Sequence, residues 1–89
     1  MAEKTWNVQI TINEADRMTK AEARLTGKDA GTLVGEGGAR LNPADENVPN
    51  IGDELSAARA LSDLAHQLLH AAASDIEAHT HKPVQGLTE

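Results

Sequence analysis

Thr5-Trp6-Asn7-Val8-Gln9-Ile10-Thr11-Ile12 is the stretch that decides the fold. Trp6, Val8, Ile10 and Ile12 alternate strictly with polar residues, which places all four on one face of a pleated strand. Asn13-Glu14-Ala15-Asp16 carries turn chemistry, and beyond it Thr19, Ala21, Ala23 and Leu25 alternate with Lys20, Glu22 and Arg24. Gly27-Lys28-Asp29-Ala30-Gly31 reads as a second turn, followed by a glycine-rich run from Leu33 to Leu41. The expectation is an antiparallel meander of three strands near residues 5–13, 17–26 and 31–41. Its inner face holds the apolar residues, with Trp6 as a core anchor rather than a base-stacking platform. The glycines of the third strand mark a bulge or a close approach by whatever packs on it.

Downstream the periodicity changes. Asn42 to Asn50 contains Pro43 and Pro49 and no repeat, so it reads as a crossing loop. Asn50 is placed to cap a helix whose first turn holds Asp53 and Glu54. Ile51, Leu55, Ala58, Ala65, Leu69, Ala72 and Ile76 then form an apolar stripe at 3.6-residue spacing, widened by Leu61 and Leu68, with Arg59, Asp63, Gln67 and His70 opposite. A helix near 51–72 packed across Trp6, Val8 and Ile10 is expected. Ser74-Asp75-Ile76-Glu77 has the form of a capping box, so a short second helix is expected to start there, and Lys82-Pro83 to end regular structure. The fold class is α+β in the order β-β-β-α-α, one domain over residues 1–89.

Thirty-five hydrophobic residues, fifteen of them alanine, leave twenty larger apolar side chains, with one Trp and no Phe or Tyr. So thin a core favours self-association, and a homodimer is expected. Its two routes are sheet extension at the third strand, through Gly35, Gly37 and Gly38, and helix contact through Leu61, Leu64 and Leu68. The absence of cysteine excludes a disulfide framework and a thiol nucleophile. No apolar run has the length of a membrane span, and the opening residues carry no apolar stretch of a secretion signal. A soluble cytoplasmic protein is therefore expected, without membrane contact.

The net charge of −6 lies wholly after residue 41, since residues 1–41 hold six basic and six acidic side chains and the remainder two and eight. A polyanion would have to meet the first part of the chain. Lys20 and Arg24 share the second strand's outer face, joined by Arg40 if the third strand keeps register. These three are the residues that would face RNA. Opposed by Glu22 and Glu36, they read first as cross-strand ion pairs on a solvated sheet.

Ala39-Arg40-Leu41-Asn42-Pro43-Ala44-Asp45, Ile51-Gly52-Asp53-Glu54-Leu55, Ala58-Arg59-Ala60-Leu61-Ser62-Asp63-Leu64 and Asp75-Ile76-Glu77-Ala78 with Thr80, His81 and Pro83 carry a resemblance. Together they are similar to a family of small actinobacterial proteins of unknown function, some associated with dormancy or hypoxic stress. The resemblance spans Trp6 to Leu87. It implies a fold like double-stranded RNA-binding domains and ribosome hibernation-promoting factors, a dimer, and no established biochemical activity. Glu36 and Gly38 depart from the apolar residues expected in the third strand, which bears on a dimer contact through that strand's outer face.

Chemistry-bearing patterns are sparse. Gly35-Glu36-Gly37-Gly38 lacks the Lys-Ser or Lys-Thr of a phosphate loop. His66 and His70, four apart with Asp63 nearby, have metal-ligand spacing but no third ligand in pattern, so they read as a polar helix face. His79 and His81 suit a helix C-terminus. No serine sits on a strand-to-helix elbow, and Asp53 and Glu54 point about 100° apart on a helix. The expectation is a non-enzymatic protein with no catalytic residues, cofactor, metal or small-molecule substrate. The alternative is a ribosome-associated or structured-RNA-binding factor.

Overall fold

The computed structural model describes residues 2–29, 31–42, 46–81 and 83. Its elements are β1 (Asn7–Ala15), β2 (Met18–Thr26), β3 (Leu33–Arg40) and α1 (Pro49–Thr80). The sheet is antiparallel in the order β1-β2-β3. Val8, Ile10 and Ile12 lie opposite Leu25, Ala23 and Ala21, which in turn oppose Leu33, Gly35 and Gly37. Directly opposed residues share a face, so the alternation continues unbroken across three strands.

The first hairpin turns at Asp16 and Arg17, one residue or more later than the sequence suggests, with φ of 51° and 63° at two non-glycine residues. Two positive φ values are what a two-residue hairpin loop demands of its centre. Arg17 is tied down from both sides: its guanidinium donates to the Asn42 carbonyl at 2.9 Å, and its own carbonyl accepts from the Leu41 amide at 2.9 Å.

α1 packs on β3 and β2 and barely reaches β1. The reason is local. A Cβ at Gly35 would overlap the Ala60 carbonyl and Leu64 amide, and one at Gly37 would overlap the Ala60 amide and Ser56 carbonyl. With no side chains between them, the helix backbone rests directly on β3. Ala21, Ala23, Leu25, Ala60 and Leu64 form the buried cluster, with Leu33 and Leu68 packed against it. Burial of Leu25 and Leu64 contributes roughly 1.5–3 kcal/mol each.

Several expectations need correcting. α1 runs unbroken through Ser74-Asp75-Ile76-Glu77, so the short second helix does not form. A capping serine must leave helical geometry, and nothing between Ala71 and Ala78 forces that: there is no Gly or Pro, and alanine dominates. At 32 residues α1 is about 48 Å long, against about 30 Å for a nine-residue strand, so its last turns overhang the sheet. The helix also begins earlier than expected: Val48 is the N-cap with no side-chain bond, Pro49 opens the first turn, and Asp53 and Glu54 fall beyond it. Pro49 suits that position because its missing N–H would be unsatisfied there anyway. Trp6 is half-exposed instead of anchoring the core. Pro43, Ala44 and Asp45 of the crossing loop, Lys82, and the chain after Pro83 lie outside the described residues.

Candidate interaction surfaces

The orientation of α1 fixes what the molecule presents. Ser56, Ala60 and Leu64 face the sheet and are buried. One flank is polar and grips the outer edge of β3: Asp63 Oδ2 accepts from the Glu36 amide at 2.8 Å, Gln67 Nε2 donates to the Val34 carbonyl at 2.7 Å, and Arg59 Nη1 donates to the Gly38 carbonyl at 2.7 Å. Peptide groups of alternate residues point to the same edge of a strand, so these three bonds occupy the edge that a fourth strand would use. Gln67 also donates to Asp63 Oδ2 at 3.3 Å, steadying the pair. Sequence periodicity puts Arg59, Asp63 and Gln67 on the solvent side of the helix. Their role as edge caps was invisible there, because it depends on how closely the glycines let α1 approach.

At 100° per residue, Leu61 and Leu68 lie on the opposite flank, toward β1. Ala58, Leu61, Ala65, Leu69, Ala72 and Ile76 then form a stripe about 140° from the sheet-facing line. The strongest apolar stripe of the helix thus points away from its own sheet. Leu61 and Ile76 are exposed, as are Ile51 and Leu55 nearer the helix start. The second uncovered surface is the β1 row. Val8, Ile10 and Ile12 stand on the same sheet face as α1 but beside it, with Trp6 just before the strand, each between 38% and 48% exposed. Both surfaces carry residues that the alternation and the stripe marked as core.

The sheet's other face is polar. Register places Lys20 opposite Gly38 and Asn13, Arg24 opposite Val34 and Gln9, and Arg40 opposite Met18. Lys20, Arg24 and Arg40 therefore share one exposed face, as the sequence suggested. Arg24 Nη2 is 3.1 Å from Glu22 Oε1 in an exposed ion pair, and Glu22 sits opposite Glu36, so carboxylates divide the cations.

His66, His70 and His79 lie on α1, and His81 follows it as the C-cap. His66 Nδ1 lies 2.8 Å from the Ser62 carbonyl, and among the described residues no group of three or more His, Cys, Asp or Glu is arranged to hold a metal. The His81 amide donates to the Glu77 carbonyl at 2.7 Å in the left-handed C-cap, so that residue ends the helix through its backbone. A cavity of about 90 Å³ opens at the start of α1 between Arg17, Thr19, Leu41, Val48 and Ile51. That holds a few waters, and two open grooves of about 410 and 360 Å³ lie elsewhere, one beside Lys20, Glu22 and Glu36 and one beside Leu33, Gln67 and Ala71. Among the described residues no helix is long and apolar enough to cross a membrane.

This fold recurs in a solved structure. The crystal structure of Rv2632c superposes with a TM-score of 0.84 at 53% identity, covering 93% of this chain and 98% of that one. The uncharacterized protein Rv2632c of Mycobacterium tuberculosis (strain ATCC 25618 / H37Rv) is 58% identical over 84 residues, 94% of this chain and 89% of its own. The uncharacterized protein Mb1767 of Mycobacterium bovis is 56% identical over 80 residues, 90% of this chain and 84% of its own. Residues 4–85 match the Rv2632c-like family model, and the chain belongs to that family.

Proposed function

We propose that this chain is a non-enzymatic cytoplasmic protein, deployed in dormancy or hypoxic stress, that works by assembly through its uncovered sheet face. The observation that carries this is the β1 row: Val8, Ile10 and Ile12 in strict alternation on the inner face of the sheet, preceded by Trp6, all largely exposed, with no element of the described residues packed across them. Contiguous exposed apolar surface of this kind marks interaction sites in soluble proteins. Three polar residues of the helix flank are engaged structurally, with Arg59, Asp63 and Gln67 bonded to β3. The stress setting is supported by the resemblance in sequence motifs.

A second reading, association with ribosomes or structured RNA, is favoured by one observation: Lys20, Arg24 and Arg40 share the open polar face. The Glu22 and Glu36 carboxylates among them weaken it, as phosphate binding needs clustered positive charge.

Survival of oxygen limitation tests the first reading in cells lacking the chain and supplied with wild type, Ile10→Asp or Arg24→Glu. Loss of rescue by Ile10→Asp alone is expected. Rescue by Ile10→Asp, with loss in Arg24→Glu and co-sedimentation of wild type with ribosomal particles near 150 mM salt, would replace the first reading by the second.

A further inference from the structure

We infer that the β1 row is covered by the outward stripe of α1 from a second copy of this chain, reciprocally, so that two helices lie side by side between two three-stranded sheets. The inference rests on the reading that the uncovered face is the working surface, and it names the occupant.

The first argument is the circumference of α1. A surface helix needs one apolar side, and a helix apolar on most sides is buried on most sides. α1 rests on its own sheet through Ser56, Ala60 and Leu64, with Leu68 beside them, yet carries three further large apolar residues, Leu61, Leu69 and Ile76, away from that contact. Only the flank of Arg59, Asp63, His66 and His70 is polar along its length. One sheet beneath the helix explains the first contact and leaves the other unexplained. A second sheet above it accounts for both.

The second argument is complementarity within one chain. Among the described residues no helix covers the β1 row and no sheet covers the α1 stripe. Val8, Ile10 and Ile12 are uncharged, as is the stripe from Ala58 to Ile76, and the β1 row ends at Glu14 on the same face. A two-fold axis lets each satisfy the other twice, which is the self-complementarity an isologous interface requires. In size, Trp6, Val8, Ile10, Ile12, Leu61 and Ile76, with their smaller neighbours, expose on the order of 500 Å² of apolar surface. That approaches the apolar share of a standard interface of about 800 Å² per partner.

The third argument selects the symmetry. Pairing two sheets edge to edge through β1 would set the two helices about four strand spacings apart, roughly 19 Å, beyond the 8–10 Å of packed helices, and would leave both β1 rows open between them. Extension through β3 is opposed by the Arg59, Asp63 and Gln67 bonds to that edge. Face-to-face docking remains. It requires an axis running along the helices, which makes them parallel and in register. Leu61 then meets the partner's Leu61 across the axis, with the polar flanks on the two outer sides.

The chain has no cysteine, so single-cysteine variants report this geometry cleanly. Leu61→Cys in the full chain is expected to form a disulfide-linked dimer under mild oxidation, while His66→Cys on the polar flank is not. By light scattering, wild type at tens of micromolar is expected at twice 9.4 kDa. Ile10→Asp is expected at the monomer mass with helical circular dichroism retained, and Thr11→Asp, on the other face of β1, at the dimer mass. The emission of Trp6, the sole tryptophan, should shift to shorter wavelength as concentration rises through the dimer range. A monomeric wild type would overturn the inference, as would a dimer in which Leu61→Cys cross-links no better than His66→Cys. If Ile10→Asp does not fold, the cross-linking pair decides. A monomeric wild type together with loss of stress rescue by Ile10→Asp would remove the second copy as occupant while leaving the working face in place.

Discussion

β1 and β3 are the two edge strands of one sheet, and they are built in opposite ways. β1 presents Val8, Ile10 and Ile12, preceded by Trp6, toward the helix side and stays bare. β3 presents Gly35, Gly37 and Ala39 toward the same side and is covered so closely that helix backbone meets strand backbone. The helix sits where the strand is smallest. Hydrophobic alternation therefore assigns a face to a strand, and backbone clearance decides which part of that face the chain itself covers. The edges differ likewise, with three α1 side chains bonded to the peptide groups of β3.

The sharpest break in this contrast is Gly37→Ala. Its Cβ would fall inside van der Waals contact of the Ala60 amide and Ser56 carbonyl, both helix backbone that no side-chain rotation can relieve. We expect a loss of about 3 kcal/mol in urea unfolding, near the upper range for overpacking. Against the few kcal/mol of total stability available to a small domain, that is a large fraction. A loss under about 0.5 kcal/mol would show that α1 is free to lift off β3.

Asp63→Ala tests the edge. It removes a charged acceptor from the Glu36 amide and from Gln67, at an expected cost of about 1–2 kcal/mol in the same measurement. Hydrogen exchange should accelerate at the Glu36 amide more than at amides of β2. Uniform acceleration would mean that the carboxylate stabilises the helix rather than the edge.

What the sequence revealed and what it hid follow from the same contrast. The meander and the face bearing Val8, Ile10 and Ile12 were legible because a period of two survives in isolation, whereas the register was not, since the turn falls at Asp16 and Arg17 rather than at Asn13 to Asp16. Gly35 and Gly37 read equally as a bulge or a close approach, and the close approach is what forms. The covered part of the sheet was not legible, since the apolar stripe of α1 reads equally well as facing its own sheet or another's. The second helix was misread because Ser74-Asp75-Ile76-Glu77 has capping chemistry, while whether a helix stops there depends on its neighbours. Lys20 and Arg24 were placed together by the strand period, Arg40 joins them only through the register of β3, and the Asp63 and Gln67 bonds to β3 follow from the close approach of the helix, which no sequence period carries.

Ile12→Ala sharpens the comparison from the β1 side. In an isolated protomer Ile12 is 39% exposed, so truncation should cost only about 1 kcal/mol, less than adding one methyl group at Gly37. Measured where the protein self-associates, the same substitution should cost more, and the excess should grow with protein concentration. A concentration-independent loss of about 3 kcal/mol would mean that β1 is already covered within one chain.

The smallest effect is expected on the outer face. Arg24 and Glu22 form their 3.1 Å ion pair with side chains 50% and 42% exposed, where solvent and salt screen most of the attraction. Arg24→Ala should therefore change stability by less than about 0.5 kcal/mol, as exposed pairs commonly do. The substitution also uncovers a like-charge contact, because Glu22 lies opposite Glu36 across β2 and β3. Directly opposed carboxylates repel, so what small loss there is should shrink as salt is raised, and Glu36→Gln in the same background should restore it. A loss above about 1 kcal/mol that salt leaves untouched would contradict a solvated face, and would show that a surface unlike the bare β1 row in every chemical respect is nonetheless covered.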